Sequence, residues 1–516
     1  MGLSSGAARD GRKPAPLMLL GSYAALAETA WMGVAQVTDV LEPLHLAIGR
    51  WMRLPRRTGL IARQFTIAEA AVLLMASFFL SALLGAVRQV LFNAEFGAGP
   101  EASAYYAAFR LPDLLFSLVA GGALSSAMIP VLASVSADEN SAAEHRLAGL
   151  VLTSLLAVFA ALVLIGELVT PGFVERLLAP GFDEPTSRLT VQLTRVMLIQ
   201  PLILAVGSVA TAVLNSRNQF LLTALSVASH NVCLIGGILA ARLVPGLGIY
   251  GPTFGVVAGA LLQVLILLPG LWAGDFRLRL AWDPADRHLR EVIQLLIPNG
   301  LAVGVVYIGG IFDTAFASMA PQAAGLPALH NAWLLTGLPI ALLGQAVGQS
   351  AFPRLATQAA SGQWRALGRT ILRALGVAVA LSVPTVAALI VLGRLAIRIL
   401  FEHGRYDADA GALTYAVLVA YIIGLPAYVG TEVVSRGLIA LRDTRTPLFT
   451  NTGQVLGRVG LMAALLGPLG VLAIPAAFAG MAFLEAVVLS AVLLLKLRRR
   501  WSPGSHRPAP APLPGA

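Results

Sequence analysis

Charged residues are scarce in this sequence, and their scarcity excludes a water-soluble protein. The chain has 516 residues, of which only 12% are charged while 57% are hydrophobic. A soluble domain carries about 25% charged residues. So few charges cannot cover the surface of a soluble chain of this length, and lipid must cover much of it instead. The composition therefore predicts an integral membrane protein.

Cysteine and catalytic motifs are also missing. The single cysteine, Cys233, excludes a disulfide framework and any zinc or iron–sulfur site built from several cysteines. The seven histidines do not show the spacing of metal ligands, and the sequence has no P-loop, HExxH or GxSxG motif. We therefore expect no enzyme activity, no metal and no cofactor. Without a nucleotide site, transport must be driven by an ion gradient, the membrane potential or the gradient of the substrate.

Long hydrophobic runs are what the sequence has in abundance. A helix needs about 20 apolar residues to cross a bilayer, and twelve runs come near or above that length. Each should be an α-helix, because a helix satisfies its backbone hydrogen bonds within one segment in lipid. The predicted spans are 67–92, 103–134, 147–169, 188–214, 221–243, 249–272, 290–318, 326–353, 367–391, 411–439, 449–466 and 470–495.

The basic residues orient these spans. The net charge is +10, and the loop arginines fall mainly on the side of the N-terminus. Cytoplasmic loops of membrane proteins are enriched in arginine and lysine, so both termini are predicted to be cytoplasmic and the excess charge does not indicate nucleic-acid binding. Residues 1–66 are predicted to be an N-terminal extension, partly interfacial or disordered, and 497–516 a basic, then Pro/Ala-rich cytoplasmic tail.

The two halves of the chain resemble each other. GALSSAMIPVLAS at 122–134 is similar to QAVGQSAFPRLAT at 345–357, a spacing of 223 residues, and the same spacing relates Gly181 to Gly404. Six helices in each half would give two lobes that run in the same direction, as in transporters with parallel repeats. The predicted units are an N-lobe at 67–272, a cytoplasmic linker at 273–289 and a C-lobe at 290–496.

Bending and charge within the spans indicate further candidate sites. Charges in lipid are costly and usually face a cavity or a partner. Asp313, in GGIFDTAFAS, is therefore predicted to face a cavity or to form a structural ion pair. Glycine and proline permit a gate-like helix to bend, although small residues also serve close helix packing. The predicted gate or hinge residues are Gly121, Gly122, Pro130, Gly344, Gly348 and Pro353.

Several motifs resemble those of the MurJ/MviN lipid II flippases, a family of the multidrug/oligosaccharidyl-lipid/polysaccharide exporter superfamily. They include LGAVRQVLFNAEFGAG from residue 84, LPIALLGQAVGQSAFPRLA from 338 and RGLIALRDTRTP from 436. The resemblance runs from about 67 to 496. It implies an all-α membrane fold of two pseudo-symmetric six-helix lobes around a central cavity. It also implies a flippase of the bacterial inner membrane that moves a polyprenyl-pyrophosphate-linked saccharide, lipid II or a similar peptidoglycan precursor, by alternating access.

The resemblance also assigns site residues. Family arginines meet the pyrophosphate in the cavity, and Arg88 and Arg110 match such positions. Arg436 is expected at the headgroup or gate, with Asp113 as a partner of the arginines. Asp313 matches an acid of the family's sodium site. The matching stretch of the eleventh predicted span, 449–466, offers Arg458, so we expect an Arg458–Asp313 ion pair. Other usual family arginines are replaced, which makes the chain a divergent member; these positions are Ala82, Phe116, Ser117 and Leu334.

Two alternatives remain open. The first is a small-molecule exporter of the same superfamily, which twelve helices without the family's extra C-terminal pair would favour. The second is a non-transporting membrane scaffold or regulator, which the loss of cavity arginines would favour and a polar cavity would oppose. For the flippase, the expected partners are the lipid-linked saccharide, membrane lipid and proteins of cell-wall synthesis, without nucleic acid.

Overall fold

The computed structural model describes residues 63–120, 123–137, 141–273, 276 and 279–501. Almost all of this part of the chain is helical, and no strand occurs within it. The predicted N-terminal extension up to residue 62, the last residues of the predicted tail, and the predicted hinge residues Gly121 and Gly122 lie outside the described residues.

Seventeen α-helices make up the described chain, with short π-helical or 3-10 segments between some of them. Those of the first half are α1 (Ile67–Phe96), α2 (Pro100–Ala108), α3 (Arg110–Ala120), α4 (Ala123–Ala137), α5 (Ser141–Phe173), α6 (Glu184–Met197), α7 (Ile199–Ser216), α8 (Leu221–Leu243) and α9 (Tyr250–Ala273). Those of the second half are α10 (Arg287–Met319), α11 (Gly325–Pro339), α12 (Ala346–Ala360), α13 (Trp364–Leu400), α14 (Ala408–Ile422), α15 (Leu425–Ala440), α16 (Arg445–Leu469) and α17 (Ala473–Trp501).

Local sequence signals explain where several helices begin. Thr66 and Glu69 form a capping box at the start of α1, in which each side chain binds the backbone N–H of the other residue. Asp286 accepts hydrogen bonds from two backbone N–H groups at the start of α10, and Asp407 caps α14 by accepting from the backbone N–H of Ala410. Each cap satisfies N–H groups that would have no partner within the helix.

The outer surface of the bundle is apolar. Large side chains face outward along the long helices, including Phe79 at 74%, Leu168 at 83% and Val391 at 74% exposed. Such a surface suits lipid rather than water. Among the described residues, eight helices are long and apolar enough to cross a membrane, or up to ten if each of two bent pairs is one span. The multi-pass helical class is confirmed, while the number of twelve spans stays a prediction.

Packing within the two lobes follows the same plan. In the first lobe α9 packs against α7 and α8, and in the second lobe α17 packs against α15 and α16. Helix α4, as far as it is described, and helix α12 carry the two similar segments, which lie 223 residues apart in the sequence. The lobes meet where α10 packs against α3 and α4, and where α11 packs against α2. The all-α membrane fold class is thus confirmed, while the boundaries of the two lobes stay a prediction.

The RDTRTP motif forms a turn that has a counterpart in the first lobe. Arg442 has φ +62°, and Asn218, between α7 and α8, has φ +59°. Asp443 accepts a hydrogen bond from the backbone N–H of Thr446 at 3.1 Å and binds Lys496 on α17. Burial raises the pKa of Asp443, but the hydrogen bonds from Lys496 and Thr446 outweigh burial and lower the pKa to about 2. The motif therefore fixes the α15–α16 turn to the last helix.

Two glycine loops close one end of the molecule in a reciprocal manner. Gly181, in the loop before α6, donates its N–H to the Ser318 hydroxyl at the end of α10, at 3.1 Å. Arg405, which follows Gly404 in the loop before α14, donates its backbone N–H to the Ala94 carbonyl near the end of α1, at 2.9 Å. Each loop thus reaches from its own lobe to the first helix of the other lobe. We call this end, formed by the C-terminal ends of α1 and α10, the closed end.

The predicted gate segments are helical in their described parts. Pro130 lies within α4, Gly348 and Pro353 lie within α12, and Gly344 lies in the π-helical segment before α12. A side chain at Gly344 would come within 3.3 Å of Cγ of Glu432. Gly344 and Gly348 therefore allow close packing against α15, and the role of all four residues as hinges stays a prediction.

Candidate substrate cavity

A cavity of about 270 Å³ lies beside the boundary between the lobes. It contains three of the predicted site residues, namely Arg88 on α1 and Arg110 and Asp113 on α3. Most of its wall comes from the first lobe, and His330 on α11 contributes from the second. The other lining side chains are Gln89, Phe92, Tyr105, Tyr106, Phe109, Gln200, His230, Leu234 and Ile238.

Arg88 is held by a neighbour in its own lobe. Its Nη1 donates to Oδ1 of Asn231 on α8, at 3.3 Å. The Asn231 amide is fixed in turn, because its Nδ2 donates to the carbonyl and hydroxyl oxygens of Ser81, each at 3.1 Å. These contacts use one edge of the guanidinium and keep its position on the cavity wall.

Arg110 is held by a residue of the opposite lobe. Its Nε donates to the hydroxyl oxygen of Thr314 on α10, at 2.8 Å. That hydroxyl also donates to the carbonyl of Gly310, at 2.9 Å, and Thr314 is fully buried. Asp113 follows Arg110 by three residues on α3 and lines the same cavity. The site therefore contains two guanidinium groups and one carboxyl group, of which one guanidinium bridges the lobes.

A network of neutral polar side chains joins the lobes between the cavity and the closed end. Nε2 of Gln89 lies 2.8 Å from Oδ1 of Asn331 on α11 and 2.6 Å from the Tyr106 hydroxyl. The ring of His330 stacks on that of Tyr106, with 4.2 Å between centroids. Neither Gln89 nor Asn331 is among the site residues that the sequence predicts. Their polarity within apolar spans was the available signal, but it does not show that they are partners.

Asp313 and Arg458 lie together outside the cavity lining. Nη2 of Arg458, on α16, is 3.4 Å from Oδ1 of Asp313 on α10. The Arg458 side chain is only 5% exposed, and its guanidinium lies over the ring of Phe478 at 5.0 Å. A side chain at Gly309 would overlap this guanidinium. The residues do not fit the sodium ion that the resemblance implies, because a cationic side chain already occupies the space beside the carboxylate.

Arg436 is not brought to the cavity. It lies on α15 within 4.0 Å of Glu432, one turn earlier, and the lining residues of the cavity do not include it. Its Cγ would be 3.4 Å from a side chain placed at Gly348. The structure thus groups Arg88, Arg110 and Asp113, pairs Asp313 with Arg458, and places Arg436 apart from both groups.

Comparison with known proteins identifies the family. The family model described as lipid II flippase MurJ matches residues 92–507, which is most of the chain. The chain belongs to the MurJ family. A lipid II flippase MurJ from Burkholderia cenocepacia is 30% identical over 378 residues, covering 72% of each protein. A probable lipid II flippase MurJ from Rhizobium tropici is 28% identical over 373 residues, covering 71% of this chain and 70% of the relative.

Solved structures support the same fold. A lipid II flippase MurJ in an inward closed conformation matches with a TM-score of 0.71 and 21% identity, covering 83% of this chain and 90% of that one. An inward-facing multidrug resistance MATE transporter of the MOP superfamily matches with a TM-score of 0.69 and 14% identity, covering 84% of this chain and 100% of that one. The protein is therefore a multi-pass protein of the bacterial inner membrane with the fold of this superfamily.

Proposed function

We propose that this protein is a flippase that moves a polyprenyl-pyrophosphate-linked saccharide, lipid II or a closely similar peptidoglycan precursor, across the inner membrane. The observation that carries the proposal is the presence of Arg88 and Arg110 in one cavity beside the lobe boundary. Arginine binds phosphate oxygens through paired N–H groups, and such charge-assisted hydrogen bonds are about twice as strong as neutral ones. The family's named substrate carries the matching anion.

The rest of the cavity suits a lipid-linked sugar. Ligand sites are mostly apolar and aromatic, with a few polar groups that fix orientation. Tyr105 and Phe109 form an edge-to-face pair on the wall, with ring centroids 5.0 Å apart. Arg88, Arg110 and Asp113 supply the polar groups. The headgroup would bind here while the polyprenyl chain remains in the surrounding lipid.

Alternating access would follow from rocking of the lobes. The reciprocal glycine loops and the Gln89–Asn331 contact hold the closed end together, so movement to the opposite state must break them. With the N-terminus in the cytoplasm, the closed end faces the periplasm and this conformation admits substrate from the cytoplasmic side. Arg436, Gly344, Gly348 and Pro353 would serve the mobile cytoplasmic half of this motion.

A small-molecule exporter is the second candidate, favoured by the similarity of the fold to a MATE transporter. The two differ in what the cavity must bind, since only the lipid-linked substrate brings a pyrophosphate to both arginines. The polar cavity disfavours a non-transporting scaffold, because buried charged groups are costly to retain without a ligand or a partner. Proteins of cell-wall synthesis are the expected partners of the flippase.

Complementation tests the proposal. Cells depleted of their own lipid II flippase should be rescued by the wild-type chain and not by Arg88→Ala or Arg110→Ala. Arg176→Ala, at an exposed position outside the cavity, is the matched control and should rescue. Membrane levels of each variant are measured by immunoblotting. Full rescue by both cavity variants at wild-type levels would contradict the proposed site.

A further inference from the structure

Helix α10 carries two adjacent arginine sites. Gly309 and Asp313 accommodate Arg458, and Gly310 and Thr314 accommodate Arg110. In each pair a glycine leaves space for the guanidinium, and a polar side chain lies four residues later. Asp313 forms an ion pair with Arg458 at 3.4 Å, and Thr314 accepts a hydrogen bond from Nε of Arg110 at 2.8 Å. The first arginine belongs to the same lobe as α10. The second, Arg110, comes from the other lobe and lines the cavity.

The Thr314 hydroxyl is set to accept from Arg110. A hydroxyl has one donor hydrogen and two acceptor lone pairs, and in a helix it commonly donates to the carbonyl four residues earlier. Thr314 donates to Gly310 in this way, which directs a lone pair to Nε of Arg110. Arginine has five N–H groups, so the Nη groups stay available to a ligand while Nε is held.

We infer that Thr314 is a positioning residue for Arg110, and that the phosphate site of this arginine is complete only while the lobes meet at the closed end. Arg110 and Thr314 lie on α3 and α10, at the boundary of the two lobes. Ser318, one turn beyond Thr314, receives the Gly181 loop at the closed end. Separation of the lobes there would remove the acceptor from Nε and release the guanidinium from its fixed orientation.

Such positioning would change the affinity of the cavity for an anion across the transport cycle. That the anion is a pyrophosphate rests on the proposed function. Arg88 is held by Asn231 within one lobe, so its position does not depend on lobe contact. Arg110 is held across the lobe boundary, so its position depends on contact between the lobes. A cavity in which Arg88 always keeps its position, and Arg110 keeps its position only while the lobes meet, would bind pyrophosphate tightly in this conformation and weakly after the lobes separate.

Binding of inorganic pyrophosphate to the purified full chain tests the inference by calorimetry. A hydrogen bond to a charged group contributes enough that its loss should weaken binding about tenfold in Thr314→Val. Thr314→Ser keeps the acceptor and should bind within about twofold of wild type. Gly310→Ala is a second variant, because its added methyl would lie 3.3 Å from Nη1 of Arg110. Gly376→Ala, where nothing lies within 4 Å, is its control.

A cross-link tests the dependence on conformation. Glu101→Cys and Arg405→Cys, whose native side chains are 3.8 Å apart at the closed end, can be joined by a short bismaleimide in a Cys233→Ala background. Cross-linking should raise the pyrophosphate affinity of the wild-type cavity and leave that of Thr314→Val unchanged. Equal effects on both would overturn the inference.

The outcomes separate this inference from the proposed function. If Arg110→Ala weakens pyrophosphate binding and Thr314→Val does not, Thr314 has no positioning role although the site stands. If neither change affects binding, both the anion site and the inference are wrong. If Thr314→Val weakens binding but the wild type does not rescue flippase-depleted cells, the positioning role stands and the proposed substrate is wrong.

Discussion

Substituting Gly404 by alanine should shift the protein away from the closed-end conformation. Gly404 has φ +59°, and an added Cβ would overlap the carbonyl oxygen of Ala94 on the other lobe. The loop must then move and lose the hydrogen bond from the Arg405 backbone to Ala94. A net hydrogen bond contributes about 0.5–1.5 kcal/mol, and the upper part of that range applies here because the overlap also favours separation. A change of 1.4 kcal/mol is about tenfold in an equilibrium constant.

Cysteine labelling measures this shift. Ser103 is buried on α2, where its hydroxyl donates across the lobe boundary to the carbonyl of Ala323 at 3.4 Å. In a Cys233→Ala background, Ser103→Cys should react with a membrane-impermeant maleimide about tenfold faster when Gly404→Ala is added. Gly362→Ala is the control, because Gly362 has φ +67° but nothing lies within 4 Å of it. Equal labelling rates with and without Gly404→Ala, tested from both sides of the membrane, would refute the reasoning.

Three further predictions concern the ion pairs. Arg458→Met leaves the partly buried Asp313 charged and without its partner, so thermal unfolding in detergent should show a loss of stability of up to about 3 kcal/mol, which the double substitution with Asp313→Leu largely restores. Because Arg458 occupies the space beside Asp313, transport rates should not change when potassium replaces sodium, and sodium-dependent transport lost in Asp313→Asn would contradict this. The pKa of Asp443 is lowered to about 2, so its carboxylate stabilises the folded state above about pH 4, and this stability is lost as the pH falls towards 2. Asp443→Asn should flatten that part of the stability profile measured between pH 2 and 5.

Sequence patterns predicted the parts of the fold that depend on composition and repetition. Long apolar runs give the helices, and the 223-residue spacing gives two lobes with α4 and α12 in equivalent places. Arg88, Arg110 and Asp113 could also be identified as candidate site residues from the sequence, because charged residues are conspicuous within apolar spans. The Arg458–Asp313 pairing required the resemblance as well, since two charges on distant helices do not identify each other.

Contacts across the lobe boundary could not be predicted from the sequence. Gln89 and Asn331 are 242 residues apart, and only the folded arrangement of the two lobes brings them within hydrogen-bond distance. In the sequence Thr314 is indistinguishable from an ordinary helical threonine, whose hydroxyl donates to the carbonyl four residues earlier, here that of Gly310. Its hydrogen bond with Arg110 joins distant parts of the chain, so no local pattern indicates it. Arg436 is expected at the headgroup or gate; the structure places it beside Glu432 on the same helix, and its role stays a prediction.

Transbilayer movement of a fluorescent lipid II in proteoliposomes tests the central claim most directly. The account predicts that the purified wild-type protein moves the lipid between leaflets, and that the Arg88→Ala, Arg110→Ala double variant reduces the rate to that of protein-free vesicles. The Arg176→Ala control should retain the wild-type rate. Wild-type movement that persists in the double variant would contradict the claim that these two arginines carry the pyrophosphate.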